Sequence, residues 1–413
     1  MSPRRTMAES PELLSPAGDW ERMEMAVRYG ADAVYLAGRR FGMRAASANF
    51  ADEELRRAVQ YAHERNVRIY VTCNTLPRED ELLELPEYLA FLQDADVDAL
   101  IIADLGVMAL AKHYAPRVAR HVSTQLGVIN SATACQLYDL GADTVVLARE
   151  TPLEDIRKIR ANTPPELRLE AFVHGAMCVS FSGRCLLSNY LTGRDANRGQ
   201  CAQPCRWKYH LVEETRPGQY FEISEDGGTH IMNSRDMRMI EHLPALMEAG
   251  ISSFKIEGRM KSAYYTAVVT NAYRHALDAA VNGQPLDPIW IAETEKVSHR
   301  PYSTGFYFGD PGQYYADATY FADTEVLAVV ESCDTEGNTV LTQRNKFFTG
   351  DVVELLLPDR APVSFTVGRM QNADGEEIQD TRRAMMEIRM KLPVQAPRLS
   401  ILRKYKTNNG GNA

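Results

Sequence analysis

The chain has 413 residues, of which 45% are hydrophobic and 24% charged, a composition that excludes disordered, collagen-like and fibrous proteins. Its 46 basic and 55 acidic residues give a net charge of −9, which argues against a strongly basic nucleic-acid coat protein but leaves room for a local basic patch. The first residues lack the apolar core of a signal peptide, and no run approaches the roughly 18 apolar residues of a membrane span. We therefore expect a cytoplasmic protein with no membrane contact.

Short apolar segments alternate with helical ones up to Gly258, which is the pattern of a parallel α/β fold. Eight such segments predict a (β/α)8, TIM-like barrel, with a doubly wound open sheet as the alternative. The predicted strands are Glu12–Ser15, Ala33–Leu36, Arg68–Thr72, Ala99–Ala103, Arg120–Thr124, Thr144–Ala148, Arg168–Val173 and Ser253–Glu257.

An internal repeat supports the barrel. The segment Gly30–Leu36 is echoed by Gly141–Leu147 and more loosely by Gly250–Ile256, each time with a glycine where a helix should end and a strand two or three residues later. Asp19 is placed to cap the first of these helices.

The interval between the seventh and eighth strands is much longer than the others, so we place an insertion there, at about residues 175–250. The barrel domain then covers 11–282 and is closed by a helix over Ser262–Val281, and an aromatic-rich connector follows over 283–324. Residues 325–406 change to a strand-and-turn pattern that predicts a small C-terminal β-barrel domain. The tails 1–10 and 407–413 are expected to be disordered. The predicted C-terminal strands are Glu325–Val330, Thr339–Gln343, Val352–Leu357, Val363–Arg369, Met386–Leu392 and Leu399–Arg403.

Four of the seven cysteines fall in the insertion, at Cys178, Cys185, Cys201 and Cys205, with the spacing C-x6-C-x15-C-x3-C. Disulfides are disfavoured in a chain without a secretory signal, and zinc sites favour two closer cysteine pairs. A [4Fe–4S] cluster accepts irregular spacing and needs four thiolates. The spacing favours the cluster and leaves zinc, disulfides and independent buried thiols as alternatives.

Charged and polar side chains occupy the face of the strands that should point into the barrel. Alternation puts Glu170, Phe172 and His174 on one face of strand seven, and Lys255 with Glu257 on one face of strand eight. Strand five contributes His121, Ser123 and Gln125 in the same way. Inward charges must be paired, so they indicate a functional site or a structural ion pair such as Glu170 with Lys255.

Further polar residues follow the strands and should line the same end of the barrel. They include Asn74 and Arg149 at strand ends, and Arg44, Asn49 and Arg259 on the loops that follow. The cationic ones, together with Lys261, are suited to an anionic ligand, although each alone is equally a solvated loop residue. The sequence has no H-E-x-x-H, G-x-S-x-G, Walker or G-x-G-x-x-G motif, which removes support from metalloprotease, serine hydrolase, P-loop and dinucleotide-binding functions.

The C-terminal segment is basic although the chain is acidic. Residues 380–413 hold eight basic and two acidic residues, beside a connector segment, Tyr302–Tyr315, that is rich in aromatic residues. Basic groups with nearby aromatic rings suit backbone contact and base stacking on RNA. A solvated charged surface is the alternative.

Five segments together resemble the U32 family of collagenase-like peptidases over nearly the whole chain. They are Glu12–Gly18, His121–Gln125, Glu170–Ser188, Asn197–Arg206 and Lys255–Ser262. The resemblance implies a [4Fe–4S] cluster, with Cys178, Cys185, Cys201 and Cys205 as its ligands.

Better understood branches of the family carry out oxygen-independent hydroxylation. One branch hydroxylates the wobble uridine of tRNA at C5 and depends on prephenate, another hydroxylates a ribosomal RNA cytidine, and a third acts with partner proteins on ubiquinone precursors. This chain most resembles the tRNA branch, which implies tRNA and the small anion prephenate as its binding partners. A true peptidase is an alternative, as is a non-catalytic iron–sulfur subunit that serves a paralogous chain or forms homo-oligomers.

The expected site combines the motif residues with the strand-end residues. Catalytic candidates are Glu170, Lys255, Glu257 and Arg259. Substrate-binding candidates are Arg44, Asn49, Asn74, His121, Gln125, Arg149 and His174. Bound tRNA would contact the C-terminal domain and the connector, and a flipped uridine would enter the barrel mouth.

Overall fold

The computed structural model describes residues 11–42, 49–178, 185–196, 200–207, 234–312 and 323–406. The predicted tails and Arg44 lie outside these residues. No helix among the described residues is both long enough and apolar enough to cross a lipid bilayer.

Eight parallel strands close into a barrel, as the sequence predicts, and the open sheet is excluded. The closure is made by β9, which pairs in parallel with β1 on one side and with β7 on the other. The strands of this sheet are β1 Glu12–Pro16, β2 Ala33–Leu36, β3 Arg68–Cys73, β4 Ala99–Ile102, β5 Ala119–Val122, β6 Thr144–Val146, β7 Arg168–Ala176, β8 Asp236–Arg238, β9 Ser253–Ile256 and β10 Tyr302–Ser303.

Helices alternate with the strands and cover the outside of the barrel. The Asp19 carboxylate caps α1 as predicted, by accepting a hydrogen bond from the Arg22 amide at 2.9 Å. The repeated glycines Gly30, Gly141 and Gly250 all adopt positive φ after α1, α5 and α8. The helices are α1 Trp20–Arg28, α2 Asp52–His63, α3 Leu85–Asp94, α4 Leu105–Tyr114, α5 Ser131–Asp139, α6 Leu153–Ala161, α7 Leu187–Thr192, α8 Leu243–Glu248, α9 Ala263–Val281 and α10 Pro288–Glu295.

A buried carboxylate fills the N-terminal end of the barrel. Glu12, at the start of β1, forms ion pairs with Arg68 and Arg168, which start β3 and β7. It also accepts hydrogen bonds from the Tyr70 hydroxyl at 2.6 Å and the Ser253 hydroxyl at 2.9 Å. Because this end is filled by paired charges, the open end available to a ligand is the one formed by the carboxyl ends of the strands.

Two short strands that the sequence did not reveal hold the insertion against the barrel. β8 pairs antiparallel with the end of β7 and in parallel with β10, which belongs to the connector. Asp236 of β8 forms a buried ion pair with Arg300 at 2.8 Å, and the Ser234 hydroxyl donates to the Met177 carbonyl at 2.8 Å. The insertion therefore leaves and returns at the same end of the barrel.

The C-terminal domain is a curled antiparallel sheet of eight strands, which confirms the predicted small β domain. Its strand order is β14-β13-β18-β11-β12-β17-β15-β16, and the short strands β15 and β16 were not predicted. The strands are β11 Thr324–Cys333, β12 Asn338–Gln343, β13 Val352–Leu356, β14 Val363–Thr366, β15 Met370–Gln371, β16 Glu377–Ile378, β17 Glu387–Lys391 and β18 Ile401–Tyr405.

A buried charge network joins this domain to the barrel. Arg403 of β18 contacts Glu293 of α10 at 2.7 Å and Glu354 of β13 at 2.9 Å, and it donates to the Tyr264 hydroxyl at 3.2 Å. Both Arg403 and Glu293 are fully buried. A buried carboxylate costs several kcal/mol of desolvation when it loses its partner, so this pair can persist only while the two domains remain packed together.

We therefore expect Arg403→Ala to destabilise the protein by about 3 kcal/mol, because the Glu293 and Glu354 carboxylates then share only the Lys296 ammonium, at 2.9 Å and 2.8 Å. The measurement is the urea unfolding midpoint. The matched control is Arg389→Ala, which removes an exposed arginine paired with Glu387 at 2.8 Å and should cost less than about 1 kcal/mol. Equal effects of the two substitutions would contradict the role given to Arg403.

Candidate active site at the barrel mouth

Glu170 and Lys255 form an ion pair inside the barrel. The sequence left open whether these residues are a structural ion pair or part of a functional site, and the observed pair is compatible with both. The Lys255 ammonium lies 2.7 Å from one oxygen of the Glu170 carboxylate, and the Ser253 hydroxyl oxygen lies 3.1 Å from the other. Both charged side chains are buried, and the ammonium lies 4.7 Å from the centre of the Tyr35 ring. The burial of the pair is typical of a structural ion pair, and its position inside the barrel is where a catalytic pair would also lie.

Arg149 connects three elements at the mouth. Its guanidinium donates to the Ala176 carbonyl at the end of β7 at 2.8 Å and forms an ion pair with Glu257 after β9 at 3.3 Å. It also lies 3.9 Å from the centre of the Phe172 ring. Arg149 thus links the predicted catalytic residue Glu257 to the strand that leads into the cysteine-bearing insertion.

The approach of β7 to Glu257 depends on Gly175. This residue has a φ of +111°, and a Cβ atom built on it would lie 2.4 Å from the Glu257 carbonyl oxygen. A larger residue would therefore both strain the backbone and push the two chain segments apart.

Arg259 holds the opposite rim of the mouth. It is buried, and its guanidinium donates to the Thr72 hydroxyl at 3.3 Å and to the Asn49 side-chain oxygen at 2.9 Å. Two predicted site residues, Arg259 and Asn49, are thereby in contact. Lys261 points elsewhere and donates to the Ser298 carbonyl at 2.8 Å.

The ends of β3 and β5 are joined by a side-chain network. Asn74 donates to the Gln125 side-chain oxygen at 2.7 Å, and Gln125 donates back to the Asn74 carbonyl at 3.1 Å. The Ser123 hydroxyl donates to the same Gln125 oxygen at 3.1 Å. These contacts fix the amide of Gln125, so it can present a defined hydrogen-bonding group to a ligand.

His121 lies deeper than the network around Gln125. It is buried, with its ring 4.6 Å from that of Tyr70 in an edge-on arrangement. Burial lowers the pKa of His121 well below its usual value, and the positive charges of Arg168 and Lys255 lower it further. His121 is therefore neutral at pH 7, and it is a candidate for hydrogen bonding within the barrel.

His174 does not join the other candidates. The pairing of β7 with β9 shifts register between Phe172 and His174, which breaks the alternation that placed His174 beside Glu170. The imidazole instead lies against α9, with its Nδ1 3.3 Å from the Tyr273 hydroxyl. This arrangement therefore does not favour contact between His174 and a substrate.

Tyr35 is a site residue that the sequence analysis missed. Its hydroxyl donates to the Ile256 carbonyl at 3.0 Å and lies 3.5 Å from the Glu257 carboxylate, while its ring lies beneath the Lys255 ammonium. A tyrosine on the inward face of an otherwise aliphatic strand needs a partner for its hydroxyl, and that requirement was the available signal.

None of the four cysteines of the insertion forms a disulfide bond. Cys178 lies two residues after the end of β7 and is exposed. The segment of Cys201 packs on α7, which begins just after Cys185, through a hydrogen bond from the Ala202 amide to the Ser188 hydroxyl at 2.9 Å. The Gln203 amide donates to the Cys201 sulfur at 3.4 Å, as amides do to the sulfurs of metal-bound cysteines.

The donor chemistry of these thiols fits an iron–sulfur cluster, and the hydrogen bond between Ala202 and Ser188 brings the Cys201 segment to the helix that follows Cys185. Among the described residues, however, no three cysteine, histidine or acidic side chains converge closely enough to hold a metal. By contrast, Cys73 lies in the barrel core, where burial raises the pKa of its thiol to about 12 and keeps it protonated.

The described part of the aromatic connector is largely packed against the barrel, so most of its described rings are not available for the predicted stacking on RNA. Tyr307 is buried and donates its hydroxyl to the Phe172 carbonyl at 2.6 Å, and Tyr302 is held against His174 and His299. Only Phe308, among the described aromatic residues of the segment, is strongly exposed. Tyr314 and Tyr315 lie outside the described residues.

Comparison with known proteins places this architecture in one family. Residues 18–317 match peptidase family U32, and residues 322–403 match the peptidase family U32 C-terminal domain. The chain is 35% identical to tRNA hydroxylation protein P1 of Bacillus subtilis, over 98% of this chain and 97% of that protein. It is 46% identical to an uncharacterized protease of Methanocaldococcus jannaschii, over 72% and 73%. It is 34% identical to the 23S rRNA 5-hydroxycytidine synthase of Escherichia coli, over 84% of this chain and 52% of that protein. The chain belongs to peptidase family U32.

Proposed function

We propose that this chain hydroxylates an RNA base, and specifically that it carries out oxygen-independent 5-hydroxylation of the wobble uridine of tRNA. Its full-length similarity to a tRNA hydroxylation protein supports the RNA substrate, and a second relative is named as an RNA hydroxycytidine synthase. The relative named as a protease keeps peptide cleavage as the rival to be tested.

The observation that carries the proposal is the contact between the mouth and the cysteine-bearing insertion. Arg149 binds the Ala176 carbonyl, two residues before Cys178, and it pairs with Glu257 on the other side. A base that enters the barrel mouth would therefore lie beside the first cysteine of the insertion. An RNA base is flat and uncharged, and the Arg149 guanidinium that lies over the buried Phe172 ring and the fixed Gln125 amide would offer it stacking and hydrogen bonding.

Cys178, Cys185, Cys201 and Cys205 would hold a [4Fe–4S] cluster in this proposal. When bound, the cluster would supply a redox-active or Lewis-acidic iron centre next to the mouth. The chain's own residues would bind and orient the reactants: Glu257 and Arg149 at the β7 side, and Arg259 at the opposite rim. Prephenate is the proposed co-substrate, and its two carboxylates would suit the guanidinium groups of Arg149 and Arg259.

Anaerobic purification should yield brown protein that contains about four irons and four sulfides per chain and absorbs near about 400 nm. Cys178→Ala and Cys201→Ala should each lose most of this iron, since each removes one of the four ligands. Cys135→Ala, which changes a cysteine outside the insertion, should retain it. A colourless wild-type protein, or one that holds a single zinc, would remove the cluster from the account.

The buried pair allows structure and catalysis to be separated. Lys255→Met alone should destabilise the fold by about 3–5 kcal/mol, because it leaves the Glu170 carboxylate unpaired. The double variant Glu170→Gln with Lys255→Met should recover most of that stability, since no unpaired charge remains. We expect the double variant to fold and yet form no 5-hydroxyuridine. Retained hydroxylation in the double variant would make the pair purely structural.

The function is tested most simply by complementation. A bacterial strain that lacks its own tRNA hydroxylation proteins should regain 5-hydroxyuridine in its tRNA when this chain is expressed, as measured by mass spectrometry of tRNA nucleosides. Glu257→Gln and Cys201→Ala should not restore the nucleoside. Unmodified tRNA, together with peptide cleavage that is lost in Glu257→Gln, would favour the peptidase instead.

A further inference from the structure

Two loops of the C-terminal domain present an aromatic side chain to solvent on a rigid base. In the loop 344–351, Phe347 is fully buried in the domain core, while the next residue, Phe348, is 44% exposed. The backbone is fixed to the loop 379–386, because Phe348 forms a β-bridge with Asp380 and the Thr381 amide donates to the Phe347 carbonyl at 3.1 Å. The ring of Phe348 is therefore held outward by the core beneath it.

Cationic side chains surround this ring. The Lys346 ammonium lies 4.8 Å from the ring centre, and both Lys346 and Arg382 contact the Asp380 carboxylate, at 3.1 Å and 2.6 Å. The Lys346 and Arg382 side chains are 53% and 80% exposed, whereas that of Asp380 is only 12% exposed. One sheltered carboxylate thus orients two solvent-facing cations beside an exposed ring. Arg344 and Arg383 are further cations of the same two loops.

This surface lies on the mouth side of the barrel. Arg344 forms an ion pair at 2.8 Å with Glu21, in the first turn of α1. Because α1 begins where β1 ends, its first turn is at the carboxyl end of the barrel strands, as is the candidate active site. Arg28, in the last turn of the same helix, instead lines a cleft of about 720 Å³ with Arg360 at the other end of the barrel.

We propose that Arg344, Lys346, Phe348, Arg382 and Arg383 form an RNA-binding surface, the Phe348 surface, on which an unpaired base stacks while the cations contact its phosphates. This inference rests on the proposed RNA function and names the surface that would hold the RNA near the barrel mouth. It also supplies an exposed ring, a role that the half-buried Tyr302 and the buried Tyr307 do not fill.

Charge complementarity favours RNA as the occupant. The surface gathers four cations, with Asp380 and Glu21 as the carboxylates paired with them, on a chain whose net charge is −9. A third carboxylate, Asp351, accepts from the Phe348 amide at 3.0 Å and is itself paired with Lys404 at 3.2 Å. An excess of positive charge around an exposed ring is what single-stranded nucleic acid binds, through phosphate contacts and through stacking that tolerates any base. A second copy of this acidic chain would gain less from such a surface.

The test is fluorescence anisotropy of the full-length protein with an unmodified, end-labelled tRNA transcript over a range of salt concentrations. Phe348→Ala should weaken binding by about 5- to 150-fold, as expected for the loss of one stacked base. Phe348→Trp should restore binding. A blunt RNA duplex has no unpaired base to stack, so its weaker binding should not respond to Phe348→Ala.

Arg382→Gln should weaken binding and lower the magnitude of the slope of log K against log salt by about one, because one phosphate contact is lost. The matched control is Arg360→Gln, which also removes an exposed arginine paired with a single carboxylate, Asp359 at 3.0 Å, but at the far end of the barrel. The control should leave both the affinity and the slope unchanged.

The outcomes separate this surface from the function on which it rests. Wild-type affinity in both Phe348→Ala and Arg382→Gln, in a protein that still binds and hydroxylates tRNA, would overturn the surface alone. Equal losses in Arg382→Gln and Arg360→Gln would also overturn it, since binding would then follow overall charge. A wild-type protein that binds no tRNA would overturn the proposed function together with the surface. Self-association that is lost in Phe348→Ala, with tRNA affinity unchanged, would assign the surface to a second copy of the chain.

Discussion

The pairing of β7 with β9 is the constraint on which the site depends. These strands are neighbours in the closed barrel although the cysteine-bearing insertion separates them in sequence, so the insertion must leave and return at the carboxyl end of the barrel. Gly175 lets the end of β7 approach Glu257, and Arg149 then joins both segments. The closure of the fold therefore brings the cysteine segment to the mouth, with no separate docking step needed.

Buried charge divides the barrel into two regions with different tasks. At the amino end, Glu12 is held by two arginines, a tyrosine and a serine, which fill the interior. Above it, Lys255 and Glu170 continue the chain of paired charges toward the mouth. Charges this deep persist only with complete pairing. The residues placed to react with a ligand are therefore those at the carboxyl end of the barrel, where Arg149, Glu257 and Arg259 lie at the ends of their strands.

The architecture could be predicted from the sequence, because the strands and helices of the barrel appear in it as local patterns. Each strand appears as a short apolar run, and the repeated glycine before the strand marks where the preceding helix ends. Alternation also predicted the inward position of Glu170 and Lys255 correctly. It did not predict that His174 turns toward α9, because a register shift depends on how two strands pair and leaves no periodic trace.

Other features could not be read from the sequence because they depend on distant partners. The burial of Tyr307 follows from a hydrogen bond to Phe172, and that of Arg403 follows from contacts with α10 and β13. The two-residue strand β10 is too short to show alternation, and it exists because β8 returns beside it. Phe347 and Phe348 are identical in type and adjacent in sequence, and only the fold distinguishes the core residue from the exposed one.

The most direct test of the account is reconstitution under strictly anaerobic conditions. Purified protein, unmodified tRNA transcript and prephenate would be incubated without oxygen, and the nucleosides of the transcript would be analysed by mass spectrometry. We expect 5-hydroxyuridine at the wobble position, and we expect its formation to depend on the cysteines of the insertion and on Arg149. Protein that retains its iron and binds the transcript, yet leaves every uridine unchanged with or without prephenate, would contradict it.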